Sequence, residues 1–142
     1  MKKIIMMTVA AMSITFAAGA QKLNDADVPA AVKASFAKKY PGTTAKWEKE
    51  DGKYEAGFKK DGKTMSASFE VSGTFTESEV DIKVADLPAP VLTYVKEHYK
   101  GKTIKEGAKI TKADGTVNYE AEVDGKDVIF DAAGKFLKEV KD

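Results

Sequence analysis

Few side chains in this 142-residue chain are of the kinds that do chemistry. The one histidine is His98, so no zinc site can be built from histidines within one chain. There is no cysteine, which removes thiol catalysis, thiolate metal sites and iron–sulfur clusters. The carboxylates are many, but their spacing is not that of an EF-hand, so no cofactor or metal is expected. Glu120 and Glu122 form the one close pair with a catalytic look. They stand at i and i+2 of an alternating run, about 7 Å apart along a strand. A glycosidase pair needs a cleft and unequal environments, and an evenly solvated strand face offers neither.

Three further features bear on binding. Trp47 reads either as a core aromatic or as an interface anchor, tryptophan being enriched at hot spots. His98 lies near the end of a helical stretch and reads as a solvated flank residue before it reads as a catalyst, since nothing beside it in sequence completes a site. The third is a row of polar residues alternating with apolar ones: Glu55, Lys59, Ser66, Ser68, Glu70, Asn118, Glu120 and Glu122. A partner is expected on that face, with Trp47, Glu55, Lys59, Glu120 and Glu122 as its candidate contacts.

The elements that carry these residues are legible from period and punctuation. Val28, Val32, Phe36 and Tyr40 recur every four residues, as do Val91, Val95 and Tyr99 with Leu92 beside them, which predicts two amphipathic helices. Asp27 and Asp86 are the expected N-caps, Pro29 and Pro88 sit where a missing N–H costs little, and Gly42 and Gly101 supply the stop. Pro90 predicts that the second helix starts a residue or two late. Beyond each helix the period becomes 2. Tyr54, Ala56 and Phe58 alternate with polar neighbours, then Met65, Ala67, Phe69 and Val71, and later Val117, Tyr119, Ala121 and Val123. Asp51-Gly52, Asp61-Gly62, Asp114-Gly115 and Asp124-Gly125 separate these runs as hairpin turns.

The chain contains itself twice. Asp27 to Gly42 returns as Asp86 to Gly101, Tyr54-Glu55-Ala56 as Tyr119-Glu120-Ala121, and Phe69 to Phe75 as Phe130 to Phe136. Each copy, 27–82 and 86–142, reads as one helix and about four antiparallel strands, a size marginal for folding alone. The expected class is α+β: one shared antiparallel sheet with both helices on one face and the other face in water. On this reading residues 21–142 form a single domain.

These blocks resemble the PepSY-like family of exported bacterial proteins, also described as beta-lactamase-inhibitor-like. Tyr40-Pro41-Gly42, Tyr54-Glu55-Ala56 and Phe69 through Phe75 carry the resemblance in the first copy. Tyr99, Gly101, Tyr119-Glu120-Ala121 and Phe130 through Phe136 carry it in the second. The resemblance implies a tandem helix-plus-four-strand unit whose exposed sheet face binds a protein. No local motif here matches the contact residues of the inhibitor that gives the family its second name.

Composition fits an exported protein. Met1-Lys2-Lys3, the uncharged stretch from Ile4 to about Ala17, and Ala18-Gly19-Ala20 are the three parts of a cleavable signal peptide over residues 1–20. The apolar run of residues 4–20 is shorter than the 20 or so residues of a spanning helix. Without a cysteine, no lipid can be attached there. Removing Lys2 and Lys3 from 23 basic residues leaves 21, all lysine, against 22 acidic ones, a net charge near −1. An arginine-free, near-neutral surface is a poor nucleic-acid binder, and no membrane insertion is expected after cleavage. The expectation is a periplasmic or secreted non-enzymatic module that binds a protein or peptide of the cell envelope. An envelope sensor of small ligands or ions is the alternative, and a hydrolase with an unrecognised site comes after it.

Overall fold

The structure, a computed structural model, describes residues 21–141, so the leader lies outside the described residues. In chain order the elements are β1 (Gln21–Leu23), a 3-10 turn (Asp25–Asp27), α1 (Ala30–Lys39), β2 (Lys46–Glu50), β3 (Lys53–Lys60), β4 (Lys63–Phe69) and β5 (Phe75–Ile82). A second 3-10 turn (Val84–Asp86), α2 (Ala89–His98), β6 (Ile104–Lys112), β7 (Val117–Val123), β8 (Lys126–Asp131) and β9 (Phe136–Lys141) follow. All nine strands join one antiparallel sheet in sequence order. The α+β class and the shared sheet agree with the sequence reading, with β1 added to the eight strands expected. No helix among the described residues is long and apolar enough to cross a membrane.

Hairpin geometry follows from the turn dipeptides. Asp51-Gly52, Asp61-Gly62 and Asp124-Gly125 have positive φ at both residues, the two-residue turn whose twist matches that of the flanking strands. Asp114-Gly115 sits in a longer turn, where the Asp114 carboxylate accepts the Thr116 N–H at 2.9 Å.

Cross-strand register puts both helices on the same face. Trp47, Tyr54, Ala56, Phe58, Ala67 and Phe69 of β2–β4 form one core with Val28, Val32, Phe36 and Tyr40. Phe36 is its hub, with ring centroids 5.5 Å from Trp47, 5.2 Å from Phe58 and 6.4 Å from Phe69. A second core joins Leu87, Val91 and Val95 to Ala121, Val123, Val128 and Phe130. The two cores share no residue.

Each helix is held at both ends by the strand that closes its unit. Near the C-terminal end of α1, burial pushes the Tyr40 hydroxyl above its ordinary pKa, opposed by a hydrogen bond with Ser78 of β5. One unit later Tyr99 donates to Glu139 of β9 at 2.7 Å. Burial and that bond push the Tyr99 hydroxyl up to about 12. The N-terminal ends meet the hairpin turns. A Cβ on Gly73 would stand 2.7 Å from the Ala31 carbonyl oxygen, and one on Gly134 would stand 2.9 Å from Pro90 Cβ.

Several local expectations are corrected. Asp27 and Asp86 are not N-caps: they end the 3-10 turns, and Pro29 and Pro88 cap the helices with no side-chain hydrogen bond. The chain enters each helix through extended backbone at that proline, which leaves the aspartate three residues before the first turn. Pro90 does not delay α2. It occupies an early position whose N–H has no helical partner, and α2 starts at the same repeat position as α1. Val71 is in the β4–β5 turn, 61% exposed, because β4 ends at Phe69.

Gly73→Ala is expected to cost more than 2 kcal/mol. A left-handed non-glycine residue costs about 1 kcal/mol, and collision with helix backbone adds to it. Gly62→Ala, with a similar φ and open space around it, should show only the first term. Urea unfolding of the two variants beside the native chain separates strain from collision.

Candidate partner-binding face

On the face away from the helices the ladder brings together residues far apart in sequence. One row runs Lys46, Gly57, Ser66, Glu79, Ile110, Asn118 and Asp131. The next runs through Asp81, Ala108, Glu120, Ile129 and Lys138, and another through Glu106, Glu122, Asp127 and Val140. No helix of the described residues covers this face, yet its centre is buried: Ser66 3%, Glu79 7%, Ala108 0%, Ile110 8%, Asn118 8%, Glu120 4% and Ile129 7% exposed. On the helix side of the middle strands Ser78, Val80, Lys109 and Thr111 are only half-buried. Burial on this side with only half-burial behind it is what a sheet bent toward this side produces, and we read this face as a hollow. Its hollow lies over the seam between the two cores.

Apolar and polar residues interleave in the hollow. Ile110 stands between Glu79 and Asn118, Ala108 between Asp81 and Glu120, and Ile129 between Glu120 and Lys138. Charge is unevenly spread. The β1–β4 part carries Lys22, Lys46, Lys53 and Lys59 with Glu48, Glu50 and Glu55. The β5–β8 part carries Glu77, Glu79, Asp81, Glu106, Glu120, Glu122, Asp127 and Asp131, with Lys112 at its margin.

Four of the five candidate contacts are on this face. Glu55 is half-buried, opposite Glu48 and Ser68; Lys59 is exposed at the end of β3, opposite Thr64. Glu120 and Glu122 are on β7, four strands from Glu55, about 19 Å at ordinary strand spacing. Trp47 is not on it. Its side chain is 5% exposed in the first core, so the core reading of Trp47 holds and the anchor reading does not. Its counterpart in the second unit is Gly107, one residue beyond the offset of the helix repeat, because a bulge at Lys105 shifts the register. Leu87 fills the space beside Gly107.

Glu120 and Glu122 occupy unequal surroundings, where an even solvated face was expected. Glu120 has Ala108 and Ile129 across the ladder; Glu122 has Glu106 and Asp127. Both side chains leave one strand in the same direction, so no scissile bond fits between them in the flanking arrangement that glycoside hydrolysis needs. His98 is exposed at the end of α2. Its ring stacks on Tyr94 at 3.9 Å, with Nδ1 3.0 Å from the Tyr94 carbonyl oxygen, and Tyr94 stacks in turn on Phe136 at 4.9 Å. Among the described residues no group of three or more His, Asp or Glu is arranged to hold a metal ion.

Glu79, Asp81, Glu106, Asp127, Ile110 and Ile129 were missed from sequence. The signal for the first two was present, since Glu77, Glu79 and Asp81 alternate with Ser78 and Val80. The others become visible only through strand pairing.

Burial, with Glu50 beside it, holds the Glu48 carboxyl above the usual carboxylate range, against the pull of Lys22. Its Oε1 is buried without a hydrogen-bond partner. Glu50 is raised by burial and by Asp51. A carboxyl whose pKa is raised by folding contributes stability below its unfolded pKa, and this is lost as pH rises through the folded value. Glu48→Gln is therefore expected to raise Tm at pH 7, with the gain closing toward pH 4. A Tm series from pH 4 to 8 checks both the sign and the window.

A family model described as "Putative beta-lactamase-inhibitor-like, PepSY-like" matches twice, over residues 16–66 and 52–138. No curated protein sequence matches. A BLIP-like protein from Bacteroides fragilis is 25% identical, with TM-score 0.63, covering 78% of this chain and 84% of that one. A "putative periplasmic" protein from Bacteroides eggerthii, 16% identical with TM-score 0.70, covers 79% and 87%. A DUF2874 family protein from Bacteroides ovatus, 22% identical with TM-score 0.66, covers 78% and 85%. The last two share the fold.

Proposed function

The chain belongs to the PepSY-like, beta-lactamase-inhibitor-like family, and from that premise we propose that it is an exported, non-enzymatic module that holds a protein partner in the hollow of its open sheet face. The observation that carries this reading is the burial at the centre of that face, where nine strands covered by no helix of the described residues interleave polar and apolar side chains. Non-obligate protein interfaces are no more apolar than ordinary surface, and a bent sheet presents such a surface without the hydrophobic patch that would make the free protein aggregate. Glu55, Lys59 and Glu122 are its accessible charged contacts, with Glu120 in the floor. Export is supported by the leader and by the periplasmic label of the Bacteroides eggerthii protein. The inhibitor-like description of the family and the BLIP-like neighbour support an inhibitor or modulator of an exported protein.

Affinity capture from an envelope extract tests the reading with variants on the two faces. Glu55→Lys and Glu122→Lys are expected to weaken retention of the captured partner at least tenfold, while Lys38→Glu on the helix side leaves it unchanged. Loss of charge complementarity at an interface commonly costs this much. Equal retention by the open-face variants, or no specific protein under several growth conditions, overturns the proposal. A ligand- or cation-dependent rise in Tm without protein capture would favour the sensor alternative.

A further inference from the structure

The cleavage motif ends at Ala20, and the first strand begins at the next residue, Gln21. Removing the leader there takes away no element of the described fold. It makes glutamine the N-terminal residue, whose free α-amine can reach its own side-chain amide. We infer that the exported chain carries pyroglutamate at position 21, a modification that rests on the export reading above.

The chemistry needs no co-reactant. The neutral α-amine of Gln21 attacks its own Cδ. A C–N bond closes a five-membered lactam, the Cδ–Nε2 bond breaks, and the amine's proton leaves with that nitrogen as ammonia. Nothing is oxidised or reduced. An α-amine titrates near pH 8, so roughly a tenth of it is neutral and nucleophilic at pH 7.

The structure leaves the site open and gives the reaction a consequence. Gln21 is exposed on a three-residue edge strand that pairs only with β2, so its side chain is free to fold back. Its partner across the ladder is Lys49, while Lys22 faces Glu48. Lys49 holds its ammonium 5.3 Å from the Tyr54 ring centroid, on the β3 side of its strand. A terminal ammonium at Gln21 would add a second positive charge to a residue pair that already holds Lys49. Cyclisation replaces that ammonium by a neutral amide N–H, the group a strand carries at every interior residue. It also removes the free amine that an aminopeptidase must grip.

The test is the intact mass of the protein recovered from the periplasm of a host expressing the full chain with its leader. The expected mass is that of residues 21–142 less about 17 Da for ammonia, with no residue released by stepwise N-terminal degradation. A Gln21→Ser chain should be cleaved at the same place and show no loss. A native chain beginning at Gln21 with a free amine and unshifted mass overturns the inference and leaves leader removal standing. A chain cut at another residue overturns the inference alone; a chain that keeps its leader overturns the export reading with it.

Discussion

A close approach of backbone to helix, made at Gly73 and again at Gly134, governs where each helix lies. Neither position has room for a Cβ. The hairpin turn before β5 therefore seats on the first turn of α1, and the turn before β9 seats on α2. The tyrosine that follows each helix reaches the strand after that same turn, Tyr40 to Ser78 and Tyr99 to Glu139. Pinned at both ends, each helix lies on the strands of its own unit and leaves the seam at β5 and β6 uncovered. The two separate cores follow from that placement.

Strand β5 serves both units. Its end, Ile82, and the 3-10 turn after it repeat Leu23 and the turn after β1; its beginning, Phe75, repeats as Phe136 of β9. The first half of β5 recurs at the C-terminal end of the sheet and the last part at the N-terminal end. The fold is thus two turns of a repeat cut within its shared strand. A unit of this size is marginal for standing alone, and sharing a strand joins two such units through backbone hydrogen bonds in place of a common core.

Most of this architecture was legible because it depends on local periodicity. Helical spacing picked out Val28, Val32, Phe36 and Tyr40, all buried, and three aspartate–glycine turns closed as their backbone requires. What failed depended on neighbours in space. Asp27 has the chemistry of an N-cap, but Pro29 intervenes with extended backbone. The match of Trp47 with Gly107 is hidden in the sequence because a bulge cannot be seen without its partner strand. Alternation alone puts the open face in water, because the burial of Ser66 or Glu120 depends on the neighbouring strands and not on their own. Glu55, Lys59, Glu120 and Glu122 were placed on the correct side by alternation alone; the depth at which each sits was not readable.

The open face departs from what stability alone would select. Glu48 opposite Glu55 and Glu106 opposite Glu122 place like charges across the ladder, an arrangement that costs free energy. Burying carboxyls adds a desolvation cost, visible in the raised Glu48 and Glu50. Domains of this kind hold only about 5–15 kcal/mol in reserve, so the aromatic side of the sheet must offset these terms. Filling the hollow with apolar residues would remove the repulsion, but with no helix to cover it the result would be an exposed hydrophobic trough prone to association. The checkerboard of Ile110, Ala108 and Ile129 among acids and Asn118 avoids that outcome. It keeps the hollow wettable when empty, and it leaves apolar floor available to a surface that brings its own polar partners.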